Sequence, residues 1–545
     1  MKAARILAGV IAVVLVVVGA AVAVLLGPDD TWGGEPTALP DGAAPIVATA
    51  PRLLNVAGVD LVVSATASEG ETFVGAAHPV HVQDYLGEVT RTEITGLSAD
   101  GIGGAQQLAG ERDYPAAPPS QLDVWDQQAQ GREAAIEVPL TPDPPVQIAA
   151  LPATAKGAAP QVGIGYKLPG AFVGGVVTAL VGLLLLAATI LWGRRARRAA
   201  ARRAEARSLE RPAEQPAAPA SLSRSATRVA LVGTIVLLST GCTVPQKVDH
   251  GDSSGVVPLE QADAQAMLDD YDVRNNAAIK KSRTGDGSLW KTADTGPMLA
   301  QDELSARFDA YDKPKGAAKP LTHEGGRVYA PVQQAYPLWA AVEMKPAKPA
   351  KPAKPANDGA ELLYVFTKDH AAGEWKASSS VSLADGLPTA LGPEEATPSS
   401  QDLDRAEDVD TMLETWAESG AVDGLVVDQD MKEARTELHK KTKGVERITD
   451  SADSWGGTRD TGDAQPAARA IRVEEGLLVL SEIRWTNSQY LKADWTWNPS
   501  KREQAVYGNR ANGNVSHRRC SLVAATLVPD TGDARVLGSS TAWVL

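Results

Sequence analysis

The chain has 545 residues, 53 Lys+Arg against 67 Asp+Glu, and a formal net charge of -14 at pH 7. Its two cysteines, Cys242 and Cys520, exclude a disulfide framework or a zinc cluster built on several thiolates. The acidic balance argues against a nucleic-acid partner, whose phosphates demand a basic surface.

Taken in chain order, the first signal is the uncharged run Ile6–Leu26, which follows Lys2 and Arg5. At ~1.5 Å rise per residue it spans the ~30 Å hydrocarbon core. A signal peptide is the other reading, but the run exceeds the usual apolar core and Gly27-Pro28-Asp29-Asp30 is no A-x-A site. Residues 1–29 are therefore expected to be a transmembrane anchor.

Residues 30–166 form an expected all-β extracytoplasmic domain. Short β-branched runs broken by Gly, Pro and Asp mark strands at Val59–Val63, Thr72–Gly75, Ala134–Val138 and Val146–Ile148. That spacing fits a small β-sandwich. His78-Pro79-Val80-His81 is the one potential metal pair, without a third ligand in sight, so a surface loop is the expectation and no metal is assigned. Phe73-Val74-Gly75, followed by Val80-His81-Val82-Gln83-Asp84-Tyr85-Leu86, resembles a family of actinobacterial membrane-anchored proteins of uncharacterised function. The resemblance covers roughly residues 50–200. It implies a β-sandwich ectodomain, an aromatic strand at Gln121-Leu122-Asp123-Val124-Trp125, and a closing transmembrane helix with a basic tail, but no activity.

That closing helix is expected at 167–193, where Leu168–Gly193 is apolar and carries the interfacial Trp192. It stops at Arg194-Arg195-Ala196-Arg197-Arg198, which opens a basic cytoplasmic loop over 194–228 with ten Arg and three Glu. Arginine excess beside a span marks the cytoplasmic side. Residues 27–167, with 18 acids against six bases, fall outside.

A third uncharged run occupies 229–246. Its end, Val236-Leu237-Leu238-Ser239-Thr240-Gly241-Cys242, resembles a bacterial lipoprotein signal, with Ser239 where Leu is usual. Cys242 would then carry the lipid, and the chain would join a membrane protein to a lipoprotein-like C-terminal region. A short third transmembrane helix is the alternative. In either case 243–545 lies outside, after a linker at 247–257.

The remainder shows a weak internal repeat. Ala266-Met267-Leu268-Asp269-Asp270-Tyr271 matches Thr411-Met412-Leu413-Glu414-Thr415-Trp416, each giving one apolar helical stripe. Leu338–Met344 is echoed by Leu477–Ile483, and Leu362–Phe366 through Ser378–Val381 by Ser521–Val523 through Ser539–Thr541. Helix followed by curved antiparallel sheet is similar to the cone-shaped α+β domain typified by nuclear transport factor two, an analogy of fold alone. Two such halves are expected at 258–386 and 402–545, joined by a linker at 387–401. The Lys-Pro-Ala run from Lys345 to Pro355 reads as extended polyproline II in a hairpin loop.

Phosphate-loop, zincin and nucleophile-elbow motifs are lacking, so no catalytic residue or cofactor is assigned. Ligand-binding candidates are Glu343 and Glu482, which would either enter a cone cavity with raised pKa values or lie on the polar face of half-exposed strands. Trp495 and Trp497 join them, because alternation in Asp494-Trp495-Thr496-Trp497 would set both rings on one strand face, as core or as a ligand platform. Cys520, after His517-Arg518-Arg519, would be activated if exposed and inert if buried at a strand start. The expectation is a non-enzymatic protein of the cell envelope, seated in the lipid bilayer and binding a protein or cell-wall partner. The alternative is a small-molecule or lipid carrier or sensor using a cavity in the α+β region.

Overall fold

The computed structural model describes residues 2–37, 43–54, 56–98, 101–141, 144–209, 246–247, 255–314, 316, 318–346, 361–383, 386–441, 443–455, 469–507 and 513–544. The chain is mixed α and β and divides into two compact units, Met1–Asp252 and Ser253–Leu545. Cys242, nearly all of the third apolar run and the body of the Lys-Pro-Ala run lie outside the described residues.

In the first unit, helix α1 (Lys2–Leu26) leads into strand β1 (Thr31–Gly33). The strands β2 (Val47–Thr49), β3 (Val59–Thr66) and β4 (Thr72–Ala77) precede helix α2 (Pro79–Leu86). Then come β5 (Arg91–Ser98), β6 (Gly101–Leu108), β7 (Gln127–Gly131), β8 (Glu133–Leu140), β9 (Gln147–Pro152), β10 (Gln161–Lys167) and helix α3 (Ala171–Leu209). A four-stranded sheet in the order β1-β10-β3-β8 packs on a six-stranded one in the order β6-β5-β2-β9-β4-β7. Alternate residues fill the space between them: Leu61, Val63 and Ala65 from one sheet meet Val74, Ala76, Ile148 and Ala150 from the other. Three of the four expected strands lie within observed ones, and the fourth, Val146–Ile148, overlaps β9 from Gln147 onward.

Two local expectations differ. Val80–Leu86 is helical because His78 caps the first turn, accepting the Val80 N–H at 3.3 Å on Nδ1, and Pro79 supplies the fixed φ of the first position. Gln121–Trp125 is not a strand. It follows a single 3-10 turn at Pro119–Gln121, and Trp125 turns inward, its indole N–H bonded to the Pro119 carbonyl at 2.9 Å. Its ring packs on Phe73 and Tyr85, with centroids 5.2 and 6.0 Å away, over Gly75, where any Cβ would lie 2.6 Å from the indole.

α1 and α3 are long and apolar enough to cross a membrane, over Arg5–Leu26 and Ala171–Arg202 with mean hydropathies of 3.1 and 2.4. Only 17% and 11% of these stretches are buried by protein, unlike the core helix of a water-soluble domain. They run antiparallel at very close range. A Cβ on Gly19 would sit 2.5 Å from the Ala179 nitrogen, and one on Gly182 would sit 2.7 Å from that of Val16. Small residues at such a seam are what apolar helices need in lipid, where packing replaces the hydrophobic drive. At the far end Gly193 approaches the Arg5 guanidinium. α3 continues unbroken through the arginine run to Leu209, so the first part of the expected basic loop is helix, as its Ala, Arg and Glu content favours.

The two helices are tied together just beyond their apolar stretches. β1 pairs with β10, Thr31 opposite Lys167 and Trp32 opposite Tyr166. Asp30 accepts the Gly170 and Phe172 N–H groups at 2.8 and 2.6 Å, satisfying orphan donors at the start of α3. These backbone bonds from Phe172 and Gly170 hold the Asp30 carboxyl below the usual carboxylate range.

The second unit opens with helices α4 (Ala264–Ser282), α5 (Trp290–Ala293) and α6 (Gly296–Asp312). They are followed by strands β11 (His323–Tyr329), β12 (Leu338–Pro346), β13 (Glu361–Lys368) and β14 (Lys376–Leu383) in a simple antiparallel meander. Helix α7 (Ser400–Ser419), strand β15 (Leu425–Val426) and helix α8 (Gln429–Leu438) begin the second half. Strands β16 (Val445–Ser454), β17 (Arg469–Val473) and β18 (Gly476–Leu491), helix α9 (Lys501–Tyr507), and strands β19 (Val515–Val528) and β20 (Ala534–Trp543) complete it. This sheet has the order β15-β20-β19-β18-β16, with β17 also paired to β18. α7 has clear ends: a capping box joins Ser399 to Asp402, and Gly420 takes a left-handed φ of 83° after the last turn.

Period-two alternation builds four layers from these parts. Leu477, Val479, Ile483 and Trp485 of β18 face Val409, Leu413 and Trp416 of α7. Leu478 and Leu480 face the other way, onto Trp339, Ala341, Leu363 and Val365 of the first sheet. That sheet's opposite side, with Ala340, Val342 and Phe366, receives Leu268 and Tyr271 of α4. The segment expected to be a plain linker contributes Leu387, Ala390 and Leu391 to the core between the sheets. The repeated motifs fall on matching elements: α4 with α7, β12 with β18, β13 with β19 and β14 with β20.

The helix seam gives a direct test. Gly182→Leu is expected to lower the melting temperature of the detergent-solubilised chain by several degrees, overpacking costing about 1–3 kcal/mol. Gly174→Leu, with nothing within 4 Å of the added Cβ, should leave it unchanged.

Candidate functional site

Alternation along β12 and β18 turns Glu343 and Glu482 toward the facing sheet and away from the helices. Glu343 accepts the Arg327 backbone N–H at 3.1 Å and its Nε at 3.2 Å, and the Lys345 Nζ at 2.8 Å. Burial pushes its carboxyl up, but the bonds from Lys345 and Arg327 outweigh this and hold it below the usual range. Glu482 accepts Ser379 Oγ at 2.6 Å, Ser378 Oγ at 2.9 Å and Arg469 Nη1 at 2.5 Å. Arg469 in turn reaches Thr367 Oγ1 at 3.2 Å, so the Glu482 cluster stitches β18 and β17 to β13 and β14. The acids are thus not in a cone cavity but in ion pairs on the sheets' inner faces.

Trp495 and Trp497 are not on a strand. β18 ends at Leu491, where its neighbours β16 and β19 also run out at Val445 and Val515, so no ladder remains to hold Asp494–Trp497 extended. The Trp495 N–H closes a turn onto the Lys492 carbonyl at 2.9 Å, and its ring lies over Gly444 beside Lys443. Trp497 is half-buried near the Arg518 guanidinium, 5.9 Å from its ring centroid. Cys520 lies within β19 and not at its start, buried, with its thiol pushed up to about 12 by burial and then by Asp450. The His78 and His81 rings are 6.2 Å apart, and no metal-holding cluster occurs among the described residues.

The structure assembles a different site in the second half. A cleft of ≈ 700 Å³ opens between the C-terminus of α7, the turn that follows it and α8. Trp416, Val422, Leu425 and Val427 line one part, and Lys432, Arg435 and His439 another. Arg435 donates to the Ala417, Trp416 and Glu418 carbonyls that end α7, the last two at 3.4 and 3.2 Å. Its guanidinium stands 5.8 Å from the ring centroids of both Trp416 and Trp485. A Cβ at Gly420 would lie 2.6 Å from the Arg435 Nε, so glycine there serves the left-handed cap and the arginine together.

Behind these groups is Asp450, its side chain 2% exposed. One oxygen accepts Trp485 Nε1 at 3.0 Å and Asn487 Nδ2 at 2.9 Å, and the other meets His439 Nε2 at 2.7 Å. The bond fixes the imidazole's orientation. Sequence reasoning missed the site because its members are scattered from 416 to 487. The available signals were the Arg435–His439 spacing on one helix and the repeat residue Trp416.

The first half has its own polar cluster in the corresponding helix–sheet interior. His323 Nδ1 lies 2.5 Å from Asp272 Oδ1, and Tyr271 Oη donates to Asp294 Oδ1 at 3.3 Å. Asp294 and Asp302 are both raised by burial, with the Asp302 carboxyl further raising Asp294. Such a pair retains a shared proton near neutrality. Asp294, with a folded-state pKa above its unfolded value, stabilises the fold fully below the ordinary carboxylate range. That contribution is lost progressively as pH rises above the ordinary carboxylate range through the raised folded-state value. Asp294→Asn, which cannot ionise, is therefore expected to flatten the fall in melting temperature between pH 5 and pH 9 by several degrees.

The family described as "Domain of unknown function (DUF8094)" matches residues 257–544. No curated protein and no solved structure matches the chain. The match takes in both helix-and-sheet halves of the second unit and more than half of the sequence, and the chain belongs to the DUF8094 family.

Proposed function

We propose that this is a non-enzymatic, membrane-anchored cell-envelope protein whose folded portions lie outside the cell and bind another protein or a wall component. One observation carries the reading: two apolar helices, little buried by protein, run antiparallel at close range, and an arginine run follows the second. Both outer ends of such a hairpin lie on one side, and arginine excess marks that side as cytoplasmic. The β-sandwich between the helices then lies outside. The third apolar run, 229–246, would return the second unit to the exterior, as a span or as a lipoprotein-type signal with Cys242 as the lipid anchor. The family match, which begins at residue 257, fits a chain that joins a membrane-anchored β-sandwich resembling the actinobacterial proteins to a lipoprotein-like region. Within that region the shared order of helix and strands supports a tandem pair of cone-like domains similar to nuclear transport factor two.

A second reading, a small-molecule carrier or sensor, is favoured by the cleft at Trp416 and His439. Its volume falls within the ~300–1,000 Å³ of small-molecule sites.

Alkaline phosphatase fused after Gly110 or after Leu545 is expected to be active, and fused after Arg207 inactive. Activity of the Arg207 fusion alone would overturn the sidedness. Tagged fatty-acid labelling that disappears in Cys242→Ala selects the lipoprotein anchor, and an unlabelled wild type selects the third span.

A further inference from the structure

The geometry points to a small organic anion with an apolar body, such as an aromatic carboxylate, as the ligand of the cleft between α7 and α8; this deepens the carrier reading and rests on it. The cleft's walls divide by chemistry. Trp416, Val422, Leu425 and Val427 supply a surface that excludes water from a planar or aliphatic body. Lys432 and Arg435 supply positive charge, His439 adds a ring nitrogen, and no Asp or Glu lines the cleft even though acids outnumber bases in the chain.

The three polar groups have distinct duties. Arg435 is engaged by the end of α7 and by Asp450, 3.8 Å away, so it holds Trp416 in place and contributes positive potential. His439 has its Nε2 on Asp450, and its Nδ1 has no protein partner among the described residues. An imidazole whose Nε2–H donates to a carboxylate presents Nδ1 as an acceptor when neutral and as a donor only when protonated, so the anion's preference rests on Lys432 and Arg435. Lys432 is exposed, one turn before Arg435 on the same helix, and forms no ion pair among the described residues. It is the free point charge that an anionic headgroup would meet. Asp450 is spent on Trp485, Asn487 and His439 and on its ion pair with Arg435, and Asp428, whose carboxyl accepts the Met431 N–H, likewise does not line the cleft. A neutral apolar ligand would leave Lys432 unused, and a highly charged one would waste the Trp416 wall.

The test uses the full chain in nanodiscs, with heats of binding corrected for empty discs, and naphthalene-2-carboxylate beside its neutral carboxamide as probes. The carboxylate is expected to bind about tenfold more tightly than the amide. Lys432→Gln, an exposed substitution that should leave the melting temperature unchanged, is expected to erase most of that difference. Val422→Trp, which fills the cleft, should abolish binding of both. Equal affinities for acid and amide, or an undiminished preference in Lys432→Gln, would overturn the anion assignment while leaving the cavity reading intact. Absence of binding by either probe, or binding unaffected by Val422→Trp, would overturn both.

Discussion

The contact between α1 and α3 is the constraint on which the first unit depends. In lipid, two apolar helices would gain nothing from avoiding their surroundings, and their pairing would rest on how closely the backbones approach. Gly19 against Gly175 and Ala179, and Gly182 against Ala12 and Val16, provide that approach. The pairing brings the end of α1 close to the start of α3. β1 and β10 are therefore adjacent and pair directly, and Asp30 can cap the start of α3. The sandwich is consequently held by two strands at its base, a stiffer attachment than a flexible stalk.

In the second unit the organising feature is the packing of one sheet on the other. Each sheet has one face for its helices and one for its counterpart, and the strands β12 and β18 are accordingly apolar on both sides. Charges placed at such an interface must be paired and hydrogen-bonded to be tolerated. Glu482 with Arg469 and two serines, and Glu343 with Arg327 and Lys345, meet that requirement. Since each pair has partners at defined strand positions, a one-residue slip of register would leave a buried charge alone. The ion pairs therefore select the register more than they add stability.

Features carried by local periodicity were legible in the sequence. The two apolar helices, four of the sandwich's ten strands and the paired stripes Met267-Leu268-Tyr271 and Met412-Leu413-Trp416 all rest on spacing within a single element. What misled was short alternation without knowledge of neighbours. Asp494–Trp497 alternates like a strand, yet the strands beside it have ended. The family resemblance implied a strand at Gln121–Trp125, yet the 3-10 turn at Pro119–Gln121 directs Trp125 into the core. Glu343 and Glu482 were recognisable as strand acids, but which face is the helix side depends on the second sheet. The Trp416, Arg435, His439 and Asp450 constellation was illegible for the same reason, because it exists only once α7, α8 and β16 are packed together.

The most direct measurement of the account is the geometry of the hairpin itself. Spin-label pairs placed at Ile6 with Trp192, and at Ile6 with Phe172, would report it in nanodiscs by pulsed dipolar spectroscopy. Antiparallel packing predicts a short separation for the first pair and one close to the ~30 Å length of the span for the second. A long Ile6–Trp192 distance, or the two values reversed, would contradict the common exit of the helices and with it the placement of the sandwich.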